Sequence, residues 1–156
     1  MSKKFEIKDF NNDSLIIFYY NGNDSEKIPK IKRHIYNLIN YILQIIAMNY
    51  EKEGIDDICE YAETLDEELG FIFHQETINA ISKPYHFPLF VREKIYLLRE
   101  TISPMINNTL GNKMKRNDPD WVKVSQIAQE ILKDIGKEQI TPREFLKTEN
   151  LSMDWI

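Results

Sequence analysis

The sequence predicts a mainly α fold, a compact bundle of five to six helices. Three observations carry that expectation. Apolar residues return every three or four positions through most of residues 28–149. Several prolines and glycines fall where helices begin and end, at Pro29, Gly70, Pro119, Gly136 and Pro142. With 42% hydrophobic and 29% charged residues but only 5 Gly and 6 Pro, the chain has the balance of an ordered globule. At 156 residues it can bury a core without disulfides or metal. No repeat, low-complexity tract or Gly/Ser/Pro-rich linker divides it, so residues 1–156 are expected to form a single domain.

The first 24 residues are the one place where the pattern admits β structure. Phe5 and Ile7 alternate weakly, Asn11-Asn12-Asp13 marks a turn, and Ser14 to Tyr20 is rich in Ile, Phe and Tyr before Asn21-Gly22, which together suit a small hairpin. A helical body then spans 28–149. Pro29 suits a first turn, and Ile31, Ile35, Leu38, Ile39, Ile42, Ile45 and Ile46 follow at helical spacing, predicting a core helix to about Lys52. Its polar interruptions, Asn37, Asn40 and Gln44, share one narrow stripe.

Ile55, Ile58, Cys59, Ala62, Leu65 and Leu69 mark the next helix, with Gly70 as its left-handed terminator. From Phe71 to Ser82 the pattern is mixed. Phe71-Ile72-Phe73 suits a strand, but Ile78 and Ile81 favour a short helix that Lys83-Pro84 stops. After the loop at residues 84–88, Val91, Ile95, Leu98 and Ile102 predict a helix that Ser103-Pro104 kinks or restarts and that could run past Leu110. Asp118-Pro119 caps a helix with Trp121, Val124, Ala128, Ile131 and Ile135 on its inner face and Gly136 at its end. Thr141-Pro142-Arg143-Glu144 is a capping box opening a short helix with Phe145 and Leu146. Residues 150–156 form a tail in which Trp155 and Ile156 are expected to dock on the body.

Several function classes find no support. The run Leu15–Tyr20 is too short for a signal-peptide core or a membrane span, so a cytoplasmic protein without membrane attachment is expected. A single cysteine, Cys59, on the apolar side of its helix, fits a buried thiol in a reducing compartment. His34, His74 and His86 lack zinc-site spacing, the acids lack the layout of a calcium loop, and no phosphate-cradling glycine loop, GxSxG elbow or kinase signature is present. The expectation is therefore a non-enzyme without cofactor or metal. The basic clusters Lys27-Lys30-Lys32-Arg33 and Lys113-Lys115-Arg116 make no dominant basic face at a pI near 5.3, so no direct nucleic-acid contact is expected.

The main clue is charge asymmetry. Residues 51–68 hold nine acids against Lys52 alone, while the net charge of the chain is only -5. At 100° per residue, Asp56, Asp57, Glu60, Glu63, Glu67 and Glu68 fall opposite the apolar stripe, with Thr64 among them and Tyr61 at the border. The plain reading is a solvated face neutralised by lysines or arginines of neighbouring elements. Against it, the face has no cation of its own, and Asp66, Glu67 and Glu68 crowd a last turn whose dipole favours cations, at up to about 1 kcal/mol each. A row of carboxylates suits a basic protein surface and can occupy a site built for phosphates.

The expected function is thus a protein-binding inhibitor of the kind bacteria use as immunity proteins or antitoxins against basic, nuclease-type toxins, with Tyr61 as an anchor at the rim. The Ile, Lys and Asn usage fits an AT-rich bacterial genome. Two alternatives make different demands. A helical enzyme of unfamiliar type needs a pocket gathering His74, Glu76 or His86. An adaptor or homodimeric module needs an exposed apolar seam from Phe87, Phe90 or Trp155. Monomer and homodimer are both compatible with the sequence.

Overall fold

The computed structural model describes residues 28–51 and 55–149 of the chain, including the backbone but not the side chains of residues 55 and 56. The expected hairpin over residues 1–24 and the tail over 150–156 lie outside the described residues. The fold is mainly α. Among the described residues the helices are α1 (Ile28–Ala47), α2 (Ile55–Ile72), α3 (Gln75–Ser82), α4 (Leu89–Ile102), α5 (Leu110–Lys115), α6 (Pro119–Asp134) and α7 (Pro142–Thr148), with a 3₁₀ turn at Ser103–Met105. Among the described residues there is no strand. All seven helices contribute to one hydrophobic cluster, and α1 is its hub, packing on α6 most extensively and also on α2, α3 and α7.

Apolar residues circle α1 rather than forming a single stripe, and a helix of that kind is stable only when enclosed. Every residue from Leu38 to Ala47 is buried. Asn40 and Gln44 of the polar stripe are enclosed too, and the side-chain amide nitrogen of each donates internally, while Asn40 Oδ1 is buried without a partner. Asn40 donates from Nδ2 to the Tyr36 carbonyl at 3.1 Å. Gln44 reads the backbone beyond α6 in both directions, donating to the Glu138 carbonyl at 2.8 Å and accepting from the Ile140 amide at 2.9 Å.

α1 ends at Ala47 rather than near Lys52. The carbonyls at a helix C-terminus lack intrahelical partners, and here side chains from distant segments supply them. Ala47 accepts from Gln129 Nε2 at 3.1 Å and Gln139 Nε2 at 3.0 Å, and Met48 accepts from the Trp121 indole at 3.0 Å. The Tyr50 hydroxyl donates back to Ile45 at 2.6 Å, and its ring packs between Trp121 and Tyr61 with centroids 5.9 and 5.8 Å away.

The expected caps of the later helices form. Asp118 accepts from the Asp120 amide at 3.0 Å ahead of α6, and Gly136 closes that helix with φ +73°. Thr141 accepts from the Glu144 amide at 3.1 Å. Two boundaries differ. Gly70 does not end α2, which continues through Phe71 to Ile72 because Leu69 and Ile72 are both buried and extend the inner stripe. Gly70 itself is exposed, with nothing within 4 Å of a Cβ, and sits inside the helix. Phe73 turns into His74, which caps α3 by accepting from the Glu76 amide at 3.4 Å, so 71–73 is no strand.

The Ser103-Pro104 site is a true break. α4 stops at Ile102, and Asn107 turns the chain by accepting from the Thr109 amide at 2.8 Å. α5 then folds back against α2.

Truncating Gln44 removes partners from two backbone groups and leaves a void beside α1. Gln44→Ala is expected to lower unfolding free energy by about 2–3 kcal/mol in urea titrations. The exposed control Gln126→Ala should stay within about 0.5 kcal/mol of the parent chain.

Candidate functional site

α2 is held by Ile58, Leu65, Leu69 and Ile72, all buried, and turns Glu60, Glu63 and Glu67 to solvent on successive turns. Asp57, Thr64 and Glu68 are half-buried. The Asp56 side chain lies outside the described residues. Thr64 turns its hydroxyl back to the Glu60 carbonyl at 3.1 Å, which leaves the carboxylates to define the face.

At the N-terminal end the face is neutralised in part. Arg143 of α7 donates from Nη2 to Asp57 Oδ1 at 2.7 Å and lies beside the Tyr61 hydroxyl. The charge on Asp57 holds the guanidinium pKa above its ordinary value. Tyr61 is only 6% exposed and packs on Tyr50, so it is an internal support rather than an anchor at the rim. Burial raises its phenol pKa, against the opposing effect of Arg143. The plain expectation of a neighbouring cation therefore holds at Asp57. Among the described residues no ion pair reaches Glu60, Glu63, Asp66 or Glu67. At the C-terminal end, burial and then the charge of Glu67 raise the Glu68 carboxyl above the usual carboxylate range.

Beside the acids an open groove of about 430 Å³ lies between α2 and the segment from Ile106 to Gly111. Ala62, Ile106 and Leu110 give it apolar surface, and Glu63, Asp66, Asn107 and Asn108 give it polar surface. Cys59 lies on the same groove and is exposed, contrary to the expected buried thiol. The inner stripe passes through Ile58, which Gly111 approaches closely enough that a Cβ there would meet Ile58 at 3.8 Å. A groove of mixed apolar and acidic lining suits a side chain with an aliphatic stem and a cationic head.

Sequence reasoning noted Asp66 only as a misplaced charge in the last turn and missed the groove it lines, which depends on α5 folding back onto α2. Asn107-Asn108, a pair suited to turns, was the available signal.

The remaining polar residues are placed otherwise. His34 is half-buried and its pKa is lowered by that burial, His74 caps α3 and meets the Glu76 carboxylate, and His86 is exposed with φ +57°. Neither this groove nor a second cleft near Arg92 is lined by His74, Glu76 or His86. Among the described residues no group of three or more His, Cys, Asp or Glu is placed to hold a metal ion, and no helix is long and apolar enough to cross a membrane. Compared with protein-family models, curated proteins and solved structures, the chain matches none of them.

Glu68 yields a pH test. Its folded-state pKa lies above the ordinary value, so the folded protein takes up this proton before the unfolded chain does. The ionised group therefore weighs against folding at neutral pH, and the penalty fades as pH falls through the carboxylate range. Glu68→Gln should raise stability at neutral pH by roughly 0.3 kcal/mol, a solvent-screened amount, and the gain should vanish near about pH 3.5 in paired urea titrations.

Proposed function

We propose that this chain is a protein-binding inhibitor, a bacterial immunity or antitoxin protein that neutralises a basic partner, such as a nuclease-type toxin domain, through the acidic face of α2. The observation that carries the reading is the row of exposed carboxylates at Glu60, Glu63 and Glu67, which no ion pair reaches among the described residues, beside a groove that adds Asp66. Repulsion between carboxylates one turn apart costs some tenths of a kcal/mol per pair, about 0.2–0.5, and a cationic partner relieves it. Complementary charge raises the encounter rate and sets register.

In this reading Glu60, Glu63 and Glu67 pair with lysines and arginines that otherwise hold phosphates, and a long cationic side chain enters the groove between Ala62 and Leu110. Thr64 and Glu68 border the contact, and Asp56 and Asp57 extend it toward α7. Asp57 contributes less to the partner because Arg143 already occupies it. Tyr61 acts from beneath, holding Arg143 and the start of α2. The inhibitor does no chemistry itself and works in the cytoplasm, where Cys59 stays reduced.

A second reading draws on α4, where Leu89, Phe90 and Leu97 are 59%, 53% and 52% exposed. Of the seam residues expected from the sequence, Phe90 is placed to serve, whereas Phe87 is buried against Tyr36. A homodimer through this surface predicts a mass that rises with concentration in light scattering and that Phe90→Asp returns to the monomer value.

The acidic-face reading is tested by capture from the source organism. Immobilised protein should retain a basic protein that elutes by about 0.5 M salt, where charge interactions are screened within a few ångströms. The triple variant Glu60→Lys, Glu63→Lys, Glu67→Lys should lose capture at least about a hundredfold while keeping its helical circular dichroism. Undiminished capture by that variant would refute the reading.

A further inference from the structure

The groove of about 430 Å³ beside α2 joins apolar surface to free negative charge. Ala62, Ile106 and the buried Leu110 line it with apolar atoms, while Glu63 and Asp66 stand exposed along its α2 wall. Among the described residues no lysine or arginine lines it, and no ion pair reaches either carboxylate. We infer that this groove seats an arginine side chain of the basic partner and discriminates it from lysine. The inference rests on the α2 face being the contact for a basic protein, and it adds the residue type that anchors that contact.

The spacing of the acids favours a guanidinium. Glu63 and Asp66 are three residues apart on one helix, where Cβ atoms lie about 5–6 Å from each other. A guanidinium carries its N–H donors in a rigid planar fork, so its edge can engage both carboxylates at once. The ammonium of lysine is a single compact charge and answers one of them. Asn108, exposed on the wall formed by residues 106–111, offers a carboxamide oxygen to a donor left over.

The apolar lining selects in the same direction. A guanidinium is weakly hydrated and accepts contact with apolar surface, whereas an ammonium holds its water strongly and loses part of it against Ala62, Ile106 and Leu110. The aliphatic stem of either residue packs there equally well, so the head group decides. The second wall is set before a partner arrives. Asn107 Oδ1 accepts from the Thr109 amide at 2.8 Å and from the Thr109 hydroxyl at 2.5 Å, and the Leu110 amide donates to the Asn107 carbonyl at 3.2 Å. A wall already in place spares the contact an ordering cost.

Two peptides of equal charge separate the groove from the face: acetyl-Lys-Lys-Arg-Lys-Lys-amide and the pentalysine of the same form. Each is titrated into the full chain at constant ionic strength, with affinity read by calorimetry and location by amide shifts. Cys59, exposed on the groove, gives a local reporter through its rate of alkylation by iodoacetamide at equal peptide occupancy. The arginine peptide should bind about threefold more tightly, a modest factor because the groove is open to solvent. It should shift residues 62–66 and 106–111 and slow alkylation of Cys59, which pentalysine leaves nearly unchanged. Glu63→Gln and Asp66→Asn, both at exposed positions and checked by circular dichroism, should each abolish the preference. Glu67→Gln, outside the groove lining, should weaken both peptides alike and keep the preference. Equal affinity of the two peptides, tighter binding of pentalysine, or a preference that survives both groove variants would overturn the arginine seat and leave the acidic-face reading standing. Binding of neither peptide would overturn both.

Discussion

Enclosing α1 is the constraint on which the rest of the structure depends. A helix buried on every side from Leu38 to Ala47 has no water to satisfy Gln44 or the carbonyls at its end. Those groups recruit Trp121 and Gln129 from α6, and Gln139, Glu138 and Ile140 from the segment that follows it. The same bonds place the start of α7, from which Arg143 reaches across to Asp57 and Tyr61 on α2. The electrostatics of the acidic face are thus tied to the core through a short chain of contacts: the Gln44 amide, the 138–140 backbone, α7, and Arg143.

What was legible in the sequence follows from which interactions are local. Asp118-Pro119, Gly136 and the Thr141 capping box act within a few residues, and the structure forms all three as read. The buried stripe of α2 follows the same periodicity through Ile58, Leu65 and Leu69. Gly70 misled because burial of Ile72 outweighs the roughly 1 kcal/mol cost of a glycine within a helix. The end of α1 was illegible because its partners lie more than seventy residues away, as Trp121 does from Met48. The candidate site was read in outline only. Helical spacing put Glu60, Glu63 and Glu67 outward correctly, whereas the pairing of Asp57, the burial of Tyr61 and the exposure of Cys59 depend on α5 and α7, which no local pattern on α2 reveals.

The molecule separates its charges. Glu60, Glu63, Asp66 and Glu67 line one region, and Lys32, Lys83 and Arg92 line another. Elsewhere opposite charges are paired, as Lys94 is with Asp134 at 2.7 Å and Lys113 with Asp120 at 3.1 Å. Surface pairs of this kind contribute little to stability, about 0–1 kcal/mol, but they cancel potential locally. On the α2 face, where no ion pair reaches Glu60, Glu63, Asp66 or Glu67 among the described residues, the field reaches solvent, and that face borders a concavity.

The central claim is that the α2 face and its groove form one contact surface for a basic protein. Hydrogen–deuterium exchange on the complex with the captured partner tests it most directly. The account predicts protection concentrated in residues 60–68 and 106–111, with α4 unchanged. Protection on residues 89–97 with 60–68 unaffected would contradict it and assign recognition to the exposed Leu89, Phe90 and Leu97 instead.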